Sequence, residues 1–465
     1  MPFVRKRPLV HLFACACLLL AAVPAFGQAS RDEPARRKPN VVIILVDDLG
    51  YADVGYHNLS KDVRTPRIDA LAASGVQFSN AYVSSPVCSP CRAGLMTGRY
   101  QQRFGYEQNP LGPEQEEVFG LPDDELTLAQ AMGRAGYATG VIGKWHLGRA
   151  PGMWPLDRGF DEFFGFLGGM HGFFNNEQPS DHFNAIRRGR EPVGVDGYLT
   201  DAFSNEAVNF IERHADEPFF LYLSYNAPHT PMEATPADES AFDSPRPKRK
   251  TFLGMMAAVD RGVGQVLDTL ESKGLRDDTL VVFLSDNGGP TTSNTSRNRP
   301  FSGAKGSTFE GGVRVPFLMS WPGRLPAGEV DDRVVMQLDL FPTSVAAADA
   351  EVPDNLDGKN LLPYLASGND ETIHERIFWR FGPRRGMRQG SLKLQWNGDE
   401  EPGLYDVAAD PAEGNDLSEQ MPDKKEEMLE AYGQWQSEMS EPAWEGRLEG
   451  DGQRDAGMKR RNADR

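Results

Sequence analysis

Four short apolar runs constrain the fold of this 465-residue chain more than any other feature. NVVIILV, from Asn40, runs straight into Asp47-Asp48. YATGVIG, from Tyr137, leads to Lys144-Trp145-His146. FFLYLSY, from Phe219, ends at Asn226-Ala227-Pro228-His229, and TLVVFLS, from Thr279, ends at Asp286-Asn287-Gly288-Gly289. Continuous apolar runs rich in β-branched residues are strands buried on both faces. Helical patterns lie between them. Thr65-Pro66 supplies an N-cap and a first-turn proline. Thr127–Gly136 and Asp201–His214 look helical, and Phe252, Met256, Val259, Val263, Val266 and Leu270 recur at helical spacing. Strands alternating with helices predict an α/β fold, one sheet with helices on both faces. Polar residues then sit past the carboxyl ends of four strands, the edge at which open α/β sheets bind ligands.

From about Leu361 the texture changes. Short strand-like runs begin at Ile377 (IFWRF), Met387 (MRQGSLKLQW) and Gly403 (GLYDV), and a polar-faced helix spans Pro422–Glu438. This predicts a smaller C-terminal α+β subdomain at 361–445 after a catalytic domain at 39–360. Residues 446–465 are a charged tail expected to be disordered. At the other end, Arg5, Lys6 and Arg7 precede an apolar stretch, Leu9–Val23, and Ala25-Phe26-Gly27 offers a small-residue cleavage site. That is the pattern of an export signal over residues 1–27, with 28–38 as a polar linker. The apolar stretch is short of the ~20 residues that a span needs. The expectation is therefore an exported protein, periplasmic or secreted, without a stable membrane anchor. A net charge of −18 argues against nucleic-acid partners.

Adjacent carboxylates such as Asp47 and Asp48 repel unless a cation or protons lie between them. Asp286 and Asn287 make a second oxygen-rich strand end. Three carboxylates and an amide oxygen suit a hard cation, Ca2+ or Mg2+, better than zinc. The plain alternative is that these residues cap and turn the chain. Cys15 and Cys17 leave with the signal, so Cys88 and Cys91 remain, in Cys88-Ser89-Pro90-Cys91-Arg92. On its own this pair reads as a redox motif, half of a zinc site without its second half, or two inert buried cysteines. The basic runs Arg187-Arg188-Gly189-Arg190 and Arg246-Pro247-Lys248-Arg249-Lys250 are expected in loops, solvated or gripping an anionic polymer.

The cysteine pair has a fourth reading. Cys88-Ser89-Pro90-Cys91-Arg92, followed by Ala93-Gly94-Leu95-Met96-Thr97-Gly98-Arg99, resembles the signature of type I sulfatases. In that family the first cysteine is oxidised to Cα-formylglycine by a separate maturation enzyme. The fourth position, often Ser or Ala there, is Cys91 here. The resemblance continues through the Asp47-Asp48 strand, Gly143-Lys144-Trp145-His146-Leu147-Gly148 and Ala227-Pro228-His229-Thr230-Pro231. It includes Ser285-Asp286-Asn287-Gly288-Gly289, Gly303-Ala304-Lys305-Gly306, Glu310-Gly311-Gly312-Val313-Arg314-Val315-Pro316 and Leu404-Tyr405-Asp406 to Leu417.

What the resemblance implies is specific. The fold would be that of the alkaline phosphatase superfamily: a large mixed, mostly parallel sheet sandwiched by helices, with a small C-terminal sheet. Cys88, as formylglycine hydrate, would be the nucleophile and a metal ligand. Asp47, Asp48, Asp286 and Asn287 would hold Ca2+, with Mg2+ as the alternative. Arg92 would orient the formylglycine and His146 would take the hydrate proton. Lys144, Lys305 and His229 would face the sulfate or the leaving oxygen. The hydrate has a second hydroxyl that can expel sulfate, whereas a sulfated serine would be stable. The segment Gln101–Pro110 resembles that of carrageenan and galactosamine-sulfate enzymes, so a sulfated galactan or glycosaminoglycan is the expected substrate. A formylglycine-dependent phosphonate or phosphodiester hydrolase, or a non-catalytic glycan-binding or redox module, are the competing readings.

Overall fold

Asn40–Val46 forms β1, and each of its residues is buried. Its odd-numbered residues Val41, Ile43 and Leu45 join one apolar cluster, and Val42, Ile44 and Val46 join another on the opposite face. The period-2 alternation of a strand thus feeds two cores at once. One core takes in Leu128, Ala129 and Met132 of the Leu128–Arg134 helix. The other takes in Leu199–Arg213 and the long Pro247–Ser272 helix. This is a computed structural model that describes residues 37–179, 184–368 and 370–446. The expected signal peptide, nearly all of the linker and the charged tail lie outside the described residues. No helix among the described residues is long and apolar enough to cross a membrane.

Nine further strands complete the sheet: β2 (Val76–Tyr82), β3 (Ala138–Lys144), β4 (Glu162–Phe166), β5 (Arg187–Arg188), β6 (Glu191–Pro192), β7 (Phe219–Ser224), β8 (Thr279–Ser285), β9 (Phe317–Ser320) and β10 (Glu329–Met336). Their order is β10-β2-β9-β8-β1-β7-β3-β4-β5-β6. The central strands β8, β1, β7, β3 and β4 are parallel, whereas β9, β5 and β6 join antiparallel. The four runs singled out in the sequence are thus consecutive neighbours in the middle of one sheet. β11 (Arg376–Phe381), β12 (Arg384–Gln389), β13 (Leu392–Asn397) and β14 (Gly403–Asp406) form the expected C-terminal sheet, antiparallel throughout. Met428, Tyr432 and Trp435 of the Pro422–Ser437 helix cover it in a third cluster that also holds Cys91, Tyr82 and Val83.

Local details differ from expectation in two places. Thr65 stands at the N-cap of Pro66–Ala73, but its hydroxyl accepts from the Gly55 amide and donates to Asp69, so it does not cap the helix. The basic runs lie only partly in loops: Gly189 and Arg190 make a turn, and Arg246 precedes a helix. Arg187–Arg188 is β5, and the second run opens the Pro247–Ser272 helix. Arg249 in that run is fully buried and ion-paired with Asp53 and Asp62, out of reach of any polymer.

One glycine shows how tightly the central strands pack. Gly143 has φ of 108°, and a Cβ there would lie 1.9 Å from the Ser224 carbonyl oxygen of β7. Gly143→Ala combines backbone strain with overpacking and is expected to lower stability by about 2–5 kcal/mol, read by denaturant melts.

Candidate active site

Because β8, β1, β7 and β3 are parallel neighbours, their carboxyl ends open at one edge. Backbone hydrogen bonds stitch those ends together: Asp47 N donates to Ala227 O (3.2 Å) and Asp286 N to Val46 O (3.1 Å). Asp48 has φ of 68°. Its amide donates to Asp286 Oδ1 (3.2 Å), and its carbonyl accepts from Asn294 Nδ2 (3.0 Å) and Ser296 Oγ (2.9 Å). These bonds hold a left-handed turn that turns the two neighbouring aspartates into the same site.

Cys88 is the first residue of the Cys88–Thr97 helix and is 1% exposed. Its thiol donates to Asp47 Oδ1 (3.4 Å), and Lys305 Nζ donates to its sulfur (3.1 Å). Burial and the charge of Asp47 push the thiol far up, beyond what Lys144 and Lys305 offset, so it stays protonated. Cys91 is also a buried free thiol, in the apolar cluster beneath the C-terminal sheet. Neither cysteine is in a disulfide.

Arg92, one helical turn on, is wholly buried. Nε and Nη2 donate to Asp286 Oδ2 (3.1 and 2.8 Å), and Nη1 donates to Lys144 O (3.1 Å) and Ser224 Oγ (2.6 Å). One guanidinium therefore ties the helix carrying Cys88 to the ends of β8, β3 and β7. Lys144 Nζ lies 2.6 Å from Asp47 Oδ2, and Lys305 Nζ lies 2.7 Å from Asp48 Oδ1. Burial alone would raise Asp47, but Lys144, His229, Arg92 and Lys305 together hold it well below the usual carboxylate range. Burial and Asp47 push Asp286 upward against Arg92.

The two histidines differ. His229 Nδ1 faces Thr230 O (2.7 Å), so that nitrogen carries the proton, and Nε2 lies 3.6 Å from Asp48 Oδ2. His146 has φ of 60°, its carbonyl accepts from Ser89 Oγ (2.5 Å), and Gly169 lies against its ring. Its Nδ1 is buried without a partner. Burial, Lys144 and Arg92 push its pKa far down, so the ring is neutral.

Asp47, Asp48, Cys88 and His229 offer ligand atoms within 4.8 Å of one another. Asn287 Nδ2 donates to Asp48 Oδ1 (2.7 Å), while its own Oδ1 is buried and unpartnered. A buried carbonyl oxygen without a donor, beside crowded carboxylates, is what a hard cation would satisfy. The residues present therefore fit a metal ion. The expected site residues are all brought to one edge of the sheet, with His229 against the carboxylates.

Other participants escaped the sequence reading. Ser224, Asn294 and Ser296 hold the site residues in place through the bonds above. Asn226 Oδ1 is a further buried, unpartnered oxygen. It comes two residues after β7 ends, close to the signal that marked Asp47 and Asp286. Nothing local marks the support of Lys305. Its loop is held from the C-terminal sheet: Glu413 Oε2 accepts from Ser302 Oγ (2.9 Å) and Glu310 N (2.8 Å). Lys393 Nζ, fully buried, pairs with Glu310 (2.8 Å) and Glu413 (3.2 Å), and Arg384 donates to Gly306 O. The Gln101–Pro110 segment is also structural, with Glu107 paired to Arg380 of β11 at 2.8 Å.

Comparison with known proteins agrees with this arrangement. The Sulfatase family model matches residues 39–350, and the model of the N-sulphoglucosamine sulphohydrolase C-terminal region matches 304–437. N-acetylgalactosamine-6-sulfatase of Homo sapiens is 36% identical over 366 residues, 72% of this chain and 67% of its own. Arylsulfatase A of Homo sapiens is 32% identical over 460 residues, 86% of this chain and 87% of its own. The crystal structure of Ps i-CgsB in complex with k-i-k-neocarrahexaose has a TM-score of 0.83 at 38% identity, covering 91% of this chain and 98% of that one. The chain belongs to the sulfatase family and is a sulfuric ester hydrolase.

Proposed function

We propose that the protein is an exported sulfatase that removes sulfate from a galactan- or glycosaminoglycan-type glycan, using Cys88 matured to Cα-formylglycine and a bound Ca2+ ion. The observation that carries this reading is the setting of Cys88. A protonated, sealed thiol is a poor nucleophile, yet Asp47 and Lys305 grip it where four parallel strands end. That setting suits a residue converted to something else before it works. The substrate class rests on the relatives, whose names include N-acetylgalactosamine-6-sulfatase and a complex with k-i-k-neocarrahexaose.

The formylglycine supplies the oxygen nucleophile for attack at sulfur. A cation would be held by Asp47, Asp48, residue 88, Asp286 and Asn287, and would supply Lewis acidity at a sulfate oxygen. Mg2+ would suit the same oxygens. Lys144 and Lys305 are fixed ammonium groups that offset charge on the sulfate, already oriented by Asp47 and Asp48. Neutral His146 accepts a proton at Nδ1, its unpartnered nitrogen. Lys305 Nζ, which carries a proton, or His229 once it has gained a second proton at Nε2, returns a proton to the departing alcohol. Arg92 acts through position: it fixes the helix that carries residue 88. Residues 1–27 direct export, and a maturation enzyme is the required partner.

Mass spectrometry of the Cys88 peptide from native-host protein tests the core of the reading. A residue lightened by exchange of thiol for aldehyde, with sulfate release from sulfated galactan or glycosaminoglycan, is the expected result. An unmodified thiol in active protein would overturn it. Matched sulfate and phosphodiester esters separate the sulfatase from the phosphodiesterase reading by their rates. Removal of the cation is expected to abolish turnover and lower the melting temperature, with Ca2+ restoring both. A chelated protein of unchanged activity would exclude the metal.

A further inference from the structure

The structure sorts the first basic run by partner. Arg188 is paired with Glu206 (2.8 Å) and Arg190 with Asp157 (2.5 Å). Arg187, just before Arg188 in β5 and half-buried, has no carboxylate at ion-pair distance among the described residues. Its Nη1 donates only to the Arg190 carbonyl (2.8 Å), and its Nε is buried without a partner. Its guanidinium lies 5.0 Å from the centre of the Trp154 ring, with Arg190 at 5.5 Å from the same ring. Trp154 is anchored in turn by Nε1 donating to Arg149 O (2.6 Å), three residues beyond His146. A half-buried guanidinium that is always charged, with an idle donor, Arg149 nearby and only the more distant Glu191 to offset it, is a cost to the fold unless a further anion joins it.

Its position relates to the active site through strand register. Arg187 of β5 pairs with Gly165 of β4, and Gly165 pairs with Gly143 of β3, the residue before Lys144. Two strand spacings set Arg187 about 10 Å from Gly143. Those are backbone positions, and a long arginine side chain at that remove can reach a substituent on a neighbouring sugar.

We propose that Arg187, braced on Trp154, is an anionic subsite that binds a sulfate or carboxylate on the sugar next to the one bearing the reacting ester. This deepens the proposed function and rests on its glycan reading. The subsite makes the enzyme select densely charged chains, in which a second anion follows at the right spacing.

The test is calorimetric binding to a Cys88→Ala background, with and without Arg187→Ala. The probes are three hexasaccharides of equal length: a galactan with one sulfate per disaccharide, a galactan with two, and a uronate-containing glycosaminoglycan. Arg187→Ala is expected to weaken the doubly sulfated chain about tenfold, one charge-assisted contact, and to leave the singly sulfated chain unchanged. Arg187→Lys should recover part of the loss, which a purely structural role would not show. Loss on the uronate chain alone identifies a carboxylate as the natural anion, and loss on the disulfated galactan alone identifies sulfate. Equal weakening of all three probes, no weakening, or no binding of any of them overturns the subsite. Hydrolysis of 4-nitrophenyl sulfate by the wild-type and Arg187→Ala proteins separates the two proposals. No hydrolysis by wild type sinks the sulfatase mechanism without touching the binding result.

Discussion

Cys88→Ala is expected to cut multiple-turnover sulfate release by about 10⁴-fold or more while the protein keeps its fold. The side chain is sealed, so the loss is chemical: no other oxygen or sulfur nucleophile is gripped by Asp47 and Lys305. The structural cost is small, about 1 kcal/mol for one buried sulfur. Lys305 keeps its bond to Asp48 at 2.7 Å, so its ammonium stays in place. Cys88→Ser makes a sharper test: a serine hydroxyl has no second oxygen with which to expel sulfate, so one equivalent of alcohol per chain is the ceiling. Cys91→Ala is the control, because Cys91 packs among apolar side chains below the C-terminal sheet, and its loss should leave turnover close to wild type. Ion chromatography of released sulfate, beside thermal melts, reads all three. A Cys88→Ala protein retaining more than about 1% of turnover would end the nucleophile assignment.

The second large effect is expected far from the reacting atoms. Lys393→Met removes the cation between Glu310 and Glu413, all three fully buried. Two buried carboxylates then face each other without the ammonium that joined them, and breaking such a buried pair costs about 3–5 kcal/mol. Arg314 at 3.1 Å still serves Glu310, which favours the lower end. Glu413 also holds Ser302 and the Glu310 amide, so the Lys305 loop loosens with it. Activity should fall with stability, and Lys393→Met combined with Glu413→Gln should recover part of the stability by removing one bare charge. Denaturant unfolding of the single and double variants checks this. A single variant as stable as wild type would show that the ionic cluster does not hold the loop.

How much of this was legible depended on where the information lay. NVVIILV and TLVVFLS announce buried strands because both faces of such a strand must be apolar. Edge elements carried no such mark: β10 reads EVDDRVVM, half exposed, and β5 and β6 have two residues each. The strand order could not be read locally, because β1 sits between strands that begin at residues 219 and 279. The polar strand ends were visible as separate features. Their convergence follows from pairing across more than 200 residues. The basic runs misled for the same reason. Arg249 looks like solvated charge in sequence, and only the fold brings Asp53 and Asp62 to it.

The hold of the C-terminal sheet on the Lys305 loop also sets a sequence in time. A growing chain has synthesised every proposed catalytic residue once Lys305 is made. Yet the loop bearing Lys305 is braced by Arg384, Lys393 and Glu413, which the ribosome adds later. The proposed catalytic edge of the sheet therefore reaches its final form only after the C-terminal sheet is in place, and the interval before then leaves residue 88 exposed where the finished protein buries it.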